Sequence, residues 1–234
     1  MSASHNAPIF NAPDIVKWIG GATLLAHVGR ALLPDGQGME LLIDMAFIPA
    51  RYGADYLVGG GSWWPLLATP LSYLLIHGDF THLLVNVLLF LAFGAAVARR
   101  MGAGHFLSFY ALSGVAGAFA FLLFNLDLFA PVIGASGAVS GMVGAVCRLS
   151  FRPPDPAHPM PFHSRGSAMG FVVVWLVLNF FFGMLPPELI GGSGGGIAWE
   201  THLGGFLFGL LAIGYFDGRG LPPKPFEFGP SAHT

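Results

Sequence analysis

Long apolar runs without a charged side chain constrain the fold of this 234-residue chain more than any other feature. Five to six of these runs are long enough, or nearly long enough, to cross a bilayer as a helix. Only 9% of the residues are charged, against about 25% in soluble domains, and the mean hydropathy is +0.68. The pattern therefore predicts an all-α polytopic membrane protein.

Charged residues and prolines mark the ends of six predicted membrane-spanning helices, at about 13–33, 81–98, 105–125, 136–148, 167–185 and 200–216. The first is the least regular because Lys17 and Arg30 interrupt it, although both side chains can extend toward opposite interfaces. Residues 34–80 form a long amphipathic connection between the first two spans. Its adjacent tryptophans, Trp63 and Trp64, are typical of a membrane interface.

Three regions follow from these boundaries. We expect residues 1–12 to form a flexible amino-terminal segment, residues 13–217 a six-helix membrane domain, and residues 218–234 a disordered, proline-rich tail. The first dozen residues lack the features of a cleaved signal peptide. A short chain without a targeting peptide or extra domains fits a bacterial inner membrane.

The distribution of lysine and arginine predicts the orientation of the helices. With the amino terminus inside, only Arg30 and Arg51 of the ten basic residues lie outside. The positive-inside rule therefore predicts that both termini are cytoplasmic. The sequence has no stripe of basic residues that would indicate a nucleic-acid partner. Because Cys147 is the single cysteine, the chain cannot form an internal disulfide. The sequence does not indicate an oligomeric state.

Polar side chains at one common depth are the strongest functional signal. Counted from the charged residue at the inner end of each helix, the heights are roughly 18 Å for Ser136, 20 Å for Asn86 and 22 Å for His202. His82 lies about one turn above Asn86. All four fall in the outer half of a hydrocarbon core about 30 Å thick. Polar residues that served only helix packing would not be expected to share one depth.

These residue types suit acyl transfer. A neutral imidazole can accept the proton of a serine hydroxyl, so Ser136 and His202 form a candidate nucleophile and base. His82 and Asn86, spaced i,i+4, share one helix face and offer N–H donors to an oxyanion, as does the Ser136 backbone amide. Gly134 and Gly137 would let a substrate backbone approach the serine. Glu200 is disfavoured as a third member because it lies only two residues from His202 on the same helix.

The motifs resemble those of the rhomboid intramembrane serine proteases. His77-x4-His82-x3-Asn86 is similar to the family's second-helix motif, and Gly134-Ala-Ser136-Gly137 to its nucleophile motif. His202-x-x-Gly205-x3-Gly209 is similar to its sixth-helix motif. The resemblance covers residues 10–217.

The resemblance implies a six-transmembrane-helix bundle that cleaves transmembrane protein substrates in the lipid bilayer without a cofactor or metal. Ser136 would be the nucleophile and His202 the general base, with His82, Asn86 and Gly134 at the oxyanion and substrate site. The expected supporting residues are His77, Gly137, Gly205 and Gly209. The site would open to the extracytoplasmic side. Two departures from the family pattern are Ser140, where some members have an aromatic residue, and Ala98, in place of an acidic residue.

Several alternatives remain at this point. On its own, Gly137-x-x-x-Gly141 is typical of close helix packing. A histidine-lined metal or proton transporter would use the same imidazoles, although no acidic residue lies in the interior of any predicted span. An inactive rhomboid-like protein that binds membrane clients is a third candidate. Asn179 favours a helix–helix hydrogen bond over a substrate contact, and either the fifth helix or the Gly191–Gly196 loop could gate substrate entry.

Overall fold

The computed structural model describes residues 12–34, 36–152, 164–185 and 198–217. The predicted segment 1–12, except Ala12, the tail 218–234 and the loop Gly191–Gly196 lie outside the described residues. The described chain forms α1 (Asp14–Ala31), α2 (Gln37–Met45), α3 (Ala54–Val58), α4 (Trp64–Ser72), α5 (Phe80–Ala98), α6 (Ala103–Phe124), α7 (Ser136–Leu149), α8 (Arg165–Met184) and α9 (Trp199–Phe216). Two short 3-10 turns cover Pro49–Tyr52 and Tyr73–Leu75, and α5 contains a π-helical stretch over Phe90–Gly94.

The all-helical architecture predicted from the sequence is confirmed for the described residues. Each of the six predicted spans coincides with a helix, namely α1, α5, α6, α7, α8 or α9. By length and hydropathy, α5 and α6 are each able to cross a membrane, whereas α7 and the first seventeen residues of α8 form shorter apolar helices. The connection over residues 34–80 is more regular than its sequence indicated, because it folds into α2, α3 and α4.

Helix α7 is the centre of the bundle. Each of its residues is buried except Ser136 at its start and Arg148 near its end. Glycines let α9 cross α7 with the two backbones in contact. A Cβ at Gly205 would overlap the carbonyl oxygen of Gly137, and a Cβ at Gly209 would overlap that of Gly141. This close crossing brings the first turns of α7 and α9 together.

The connection between α1 and α5 holds the loop that leads into α7. An isolated antiparallel bridge joins Phe47 to Val132, with N–H···O distances of 3.0 and 2.8 Å. The Gly134 amide donates to the Tyr73 carbonyl at 2.9 Å, and the Tyr73 hydroxyl donates to the carbonyl of Gly114 in α6 at 2.8 Å. The start of α7 is therefore anchored by backbone contacts on two sides.

An ion cluster closes the opposite end of the bundle. The Asp217 carboxylate, which is fully buried, accepts a hydrogen bond from Arg100 at 3.0 Å and a second one from Arg152. These residues follow α5, α7 and α9, so the cluster ties together the ends of three helices. These three charged groups therefore lie at the ends of the helices and not in the apolar middle of the bundle.

Candidate active site

Ser136 and His202 meet where α7 and α9 begin. Ser136 is the first residue of α7, and His202 is the fourth residue of α9. The Nε2 atom of the His202 imidazole lies 2.8 Å from the Ser136 hydroxyl oxygen. Both side chains are partly exposed, so the pair is open to a reactant. At this distance an unprotonated Nε2 accepts the hydroxyl proton directly.

Asn179 of α8 contacts the second ring nitrogen of the same imidazole. Its Oδ1 atom lies within hydrogen-bonding reach of His202 Nδ1, and its Nδ2 group donates to the carbonyl of Trp175, one turn earlier, at 2.7 Å. The sequence predicted an interhelical hydrogen bond for Asn179 but did not indicate this partner. Glu200 is turned elsewhere and accepts a hydrogen bond from Asn125 at 3.3 Å.

His82 and Asn86 lie on α5. The His82 ring rests against Gly134, next to the serine, because a Cβ at Gly134 would be 2.6 Å from His82 Nε2. Asn86 is buried, and its amide group donates to the His82 carbonyl at 2.9 Å, in its own helix. A carboxamide carries two N–H donors, so this bond leaves one available to a reactant.

His77 supports the loop in front of Ser136. Its Nε2 atom accepts a hydrogen bond from the Ala135 amide at 3.3 Å, and its ring lies edge-on to His82 with the centroids 5.0 Å apart. Burial, together with the nearby His82, lowers the pKa of His77 to about 3, which keeps it a neutral acceptor. The guanidinium of Arg30 donates to the carbonyls of His77 and Gly78 at 2.9 and 3.0 Å.

Gly134 has the backbone conformation that the turn into α7 requires. Its φ is +109°, a region that L side chains rarely adopt. The missing side chain also leaves room for the His82 ring. The first N–H groups of α7 have no acceptor within that helix, so this end attracts negative charge. The arrangement can stabilise an anion next to the Ser136 hydroxyl.

Position 140 of α7 carries a serine, and an aromatic side chain of α8 lies near the His202 imidazole. Ser140 donates to the carbonyl of Ser136 at 2.7 Å and does not reach the imidazole. The Trp175 ring lies 6.4 Å from the His202 ring, tilted by 46°. Between α8 and α9 there is an apolar cavity of about 190 Å³, lined in part by His202, Asn179 and Trp199.

The described residues offer no set of metal ligands. Within the described ranges, no group of three or more histidine, cysteine, aspartate or glutamate side chains is arranged so that it could hold a metal ion. The histidines near Ser136 contact backbone groups, another imidazole or the Ser136 hydroxyl.

Comparison with known proteins agrees with the motifs. A Rhomboid domain model matches residues 60–219. The chain belongs to the rhomboid family. It is 31% identical over 156 residues to Rhomboid protease GluP of Bacillus subtilis, covering 67% of this chain and 26% of that protein. It is 27% identical over 194 residues to Rhomboid protease GlpG of Yersinia enterocolitica, covering 78% of this chain and 64% of that protein.

A third relative is RHOMBOID-like protein 5 of Arabidopsis thaliana, 26% identical over 176 residues, which cover 71% of this chain and 51% of that protein. The chain thus spans between a quarter and about two thirds of the length of these relatives. Membership of the rhomboid family implies a polytopic helical bundle in the membrane. The named rhomboid proteases support intramembrane proteolysis at the level of the family.

Proposed function

We propose that this protein is an intramembrane serine endopeptidase that cleaves transmembrane segments of other membrane proteins. Ser136 attacks the scissile carbonyl while His202 accepts its proton through Nε2. His202 then protonates the leaving amine, and water hydrolyses the acyl-enzyme by the same route. The observation that carries the proposal is the 2.8 Å separation between His202 Nε2 and the Ser136 hydroxyl oxygen. The mechanism needs no cofactor or metal.

The oxyanion of each tetrahedral intermediate is held by three donors: the Ser136 backbone amide, the His82 imidazole and the Asn86 carboxamide. The position of His82 against Gly134 supports this role, because it lies beside the backbone amide at the start of α7. Donors fixed before the reaction lower the barrier because they need no reorganisation. Gly134 also leaves space for the substrate backbone, and His77 supports the loop from behind.

The proposal includes the arrangement in the membrane. The domain over residues 13–217 crosses the bilayer six times, with both termini in the cytoplasm and the site in the outer half of a bacterial inner membrane. Two features support it: the Ser136–His202 pair and the Asp217 ion cluster lie at opposite ends of the bundle, and α7 is only about 20 Å long. A helix that starts below the outer surface leaves space above it for water.

The experiment that tests this function compares cleavage of a model single-span substrate in proteoliposomes with labelling by a fluorophosphonate. Ser136→Ala and His202→Ala are expected to abolish cleavage, and Ser136→Ala to abolish labelling. The matched controls are Ser150→Ala, at the far end of α7, and His105→Ala, on the exposed start of α6.

Undiminished cleavage by Ser136→Ala or by His202→Ala would refute the Ser–His pair. A folded wild-type protein that retains a bound client, but neither cleaves nor labels, would instead establish the inactive rhomboid-like alternative. Cleavage that persists in the controls and fails in both site variants would support the proteolytic mechanism. Varying the residues around the cleaved bond would then define the substrate class.

A further inference from the structure

We propose that Asn179 is the positioning residue for His202, so that α7, α8 and α9 each supply one member of a Ser136–His202–Asn179 triad. The inference rests on the proposed function and extends it by a residue on the fifth predicted span. Asn179 does not touch the reacting hydroxyl. It acts through the imidazole, by holding the proton on one ring nitrogen and by fixing the plane of the ring.

The hydrogen bonds of Asn179 define which way its amide points. Because Nδ2 donates to the Trp175 carbonyl at 2.7 Å, Oδ1 is the atom that faces His202. The reverse assignment would set two oxygens, Oδ1 and the Trp175 carbonyl, against each other without a proton between them. An amide oxygen only accepts, so the His202 Nδ1 atom carries the proton. The lone pair of Nε2 is then directed at the Ser136 hydroxyl, as a general base requires.

Aromatic packing fixes Asn179 against α9. The Trp175 ring stacks on Phe206 with the centroids 5.5 Å apart and the planes 27° apart. On the other side, the rings of Phe180 and Trp199 meet edge to face at 5.4 Å. Asn179 lies between these two contacts along α8, so docking of α8 on α9 brings the amide to the imidazole. Displacement of α8 would therefore remove the Asn179 acceptor from the His202 imidazole, while His202 could stay in contact with Ser136.

The direct test is the tautomer of His202, measured in protein labelled with 15N-histidine. The His202 signals are identified by their loss in His202→Ala. We expect the wild-type protein, at a pH where the ring is neutral, to carry the proton on Nδ1. In Asn179→Leu, which keeps the shape of the side chain without its acceptor, a substantial share of the ring should shift to the Nε2–H form. Protonation of Nε2 in the wild-type protein would overturn the proposal, as would an unchanged tautomer in Asn179→Leu.

A kinetic test separates positioning from a structural role. Asn179→Leu should lower kcat about 10- to 100-fold at unchanged KM, because the Nδ1–H group, which becomes more positive when His202 takes the serine proton, then has no acceptor. Asn179→Asp keeps an acceptor of the same length and should return kcat to within about tenfold of the wild-type value. The matched control is Asn125→Leu. Asn125, the residue after α6, also donates to a carbonyl four residues earlier, that of Phe121, and reaches Glu200 of α9, but its recorded hydrogen bonds do not include the imidazole.

The outcomes distinguish this inference from the proposed function. Equal losses of kcat in Asn179→Leu and Asn125→Leu would assign Asn179 to helix packing and overturn the positioning role. A loss that appears only in KM would make it a substrate contact and would also overturn it. If the wild-type protein neither cleaves nor labels, yet shows the Nδ1–H tautomer and loses it in Asn179→Leu, the proteolytic function fails and the positioning of His202 stands.

Discussion

Replacement of Gly134 by alanine tests the geometry beside Ser136, the proposed nucleophile. The new methyl group would lie 2.6 Å from His82 Nε2, so the ring must retreat by about 0.8 Å to reach the 3.4 Å of an ordinary contact. If His82 donates to the oxyanion, its displacement should lower kcat about 10²- to 10³-fold, the usual cost of losing one such donor. The positive φ of +109° adds backbone strain of about 1–3 kcal/mol.

The strain and the displaced ring can be separated with a matched glycine. Gly60 has a φ of +87° and open space where a Cβ would be, so Gly60→Ala introduces similar strain without moving a side chain. Both variants should unfold at a lower temperature than the wild-type protein, whereas only Gly134→Ala should lose turnover. The assay is cleavage of a model single-span substrate at a temperature where both variants are folded. Equal turnover in the two variants would refute the oxyanion role of His82.

Three further results are expected. Asn86→Ala should lower turnover about 10²-fold in the cleavage assay without loss of fold, and unchanged turnover would remove Asn86 from the oxyanion site. Asp217→Asn should lower the free energy of unfolding by about 3 kcal/mol, because it leaves the guanidinium groups of Arg100 and Arg152 without their buried anion. An unchanged unfolding curve would contradict this expectation. Because burial lowers the pKa of His77 to about 3, its contribution to stability is complete above the unfolded pKa of about 6.5 and is lost as the pH falls toward 3. Melting temperatures should therefore drop between pH 7 and pH 5 by less in His77→Gln than in the wild-type protein.

Much of the fold could be predicted from the sequence because the bilayer constrains it strongly. Charged residues and prolines delimit the apolar runs, and the helices begin and end within a few residues of the predicted limits. Depth could also be counted, since a helix rises about 1.5 Å per residue. That count predicted a common layer for Ser136 and His202, and the two side chains are in contact in the structure.

The rotation of each helix about its axis could not be predicted. In a soluble helix, apolar residues mark the face that meets the core, but in a membrane both lipid and core are apolar and the periodicity is lost. Asn179 shows the consequence. Its polarity within an apolar run indicated an interhelical bond, but nothing in the sequence indicated that it faces His202. The positive φ of Gly134 is likewise a property of the folded loop.

The membrane also explains why an amide, and not a carboxylate, would suit the third position of the proposed triad. A charged aspartate costs about 2.5–3.5 kcal/mol on insertion at the centre of a transmembrane helix and less toward its end, where Asn179 lies, whereas asparagine carries no charge. The amide oxygen still accepts the Nδ1 proton, and its N–H group binds the Trp175 carbonyl, which sets the direction of the acceptor. A carboxylate would strengthen the bond to an imidazolium during the reaction, but it would have no donor for Trp175 and would bring a charge into the bundle. The neutral asparagine therefore stabilises the transition state less than a carboxylate would, but it lets α8 insert into the membrane and pack against α9. For this reason, Asn179→Asp should preserve turnover better than Asn179→Leu, while the yield of inserted protein should fall.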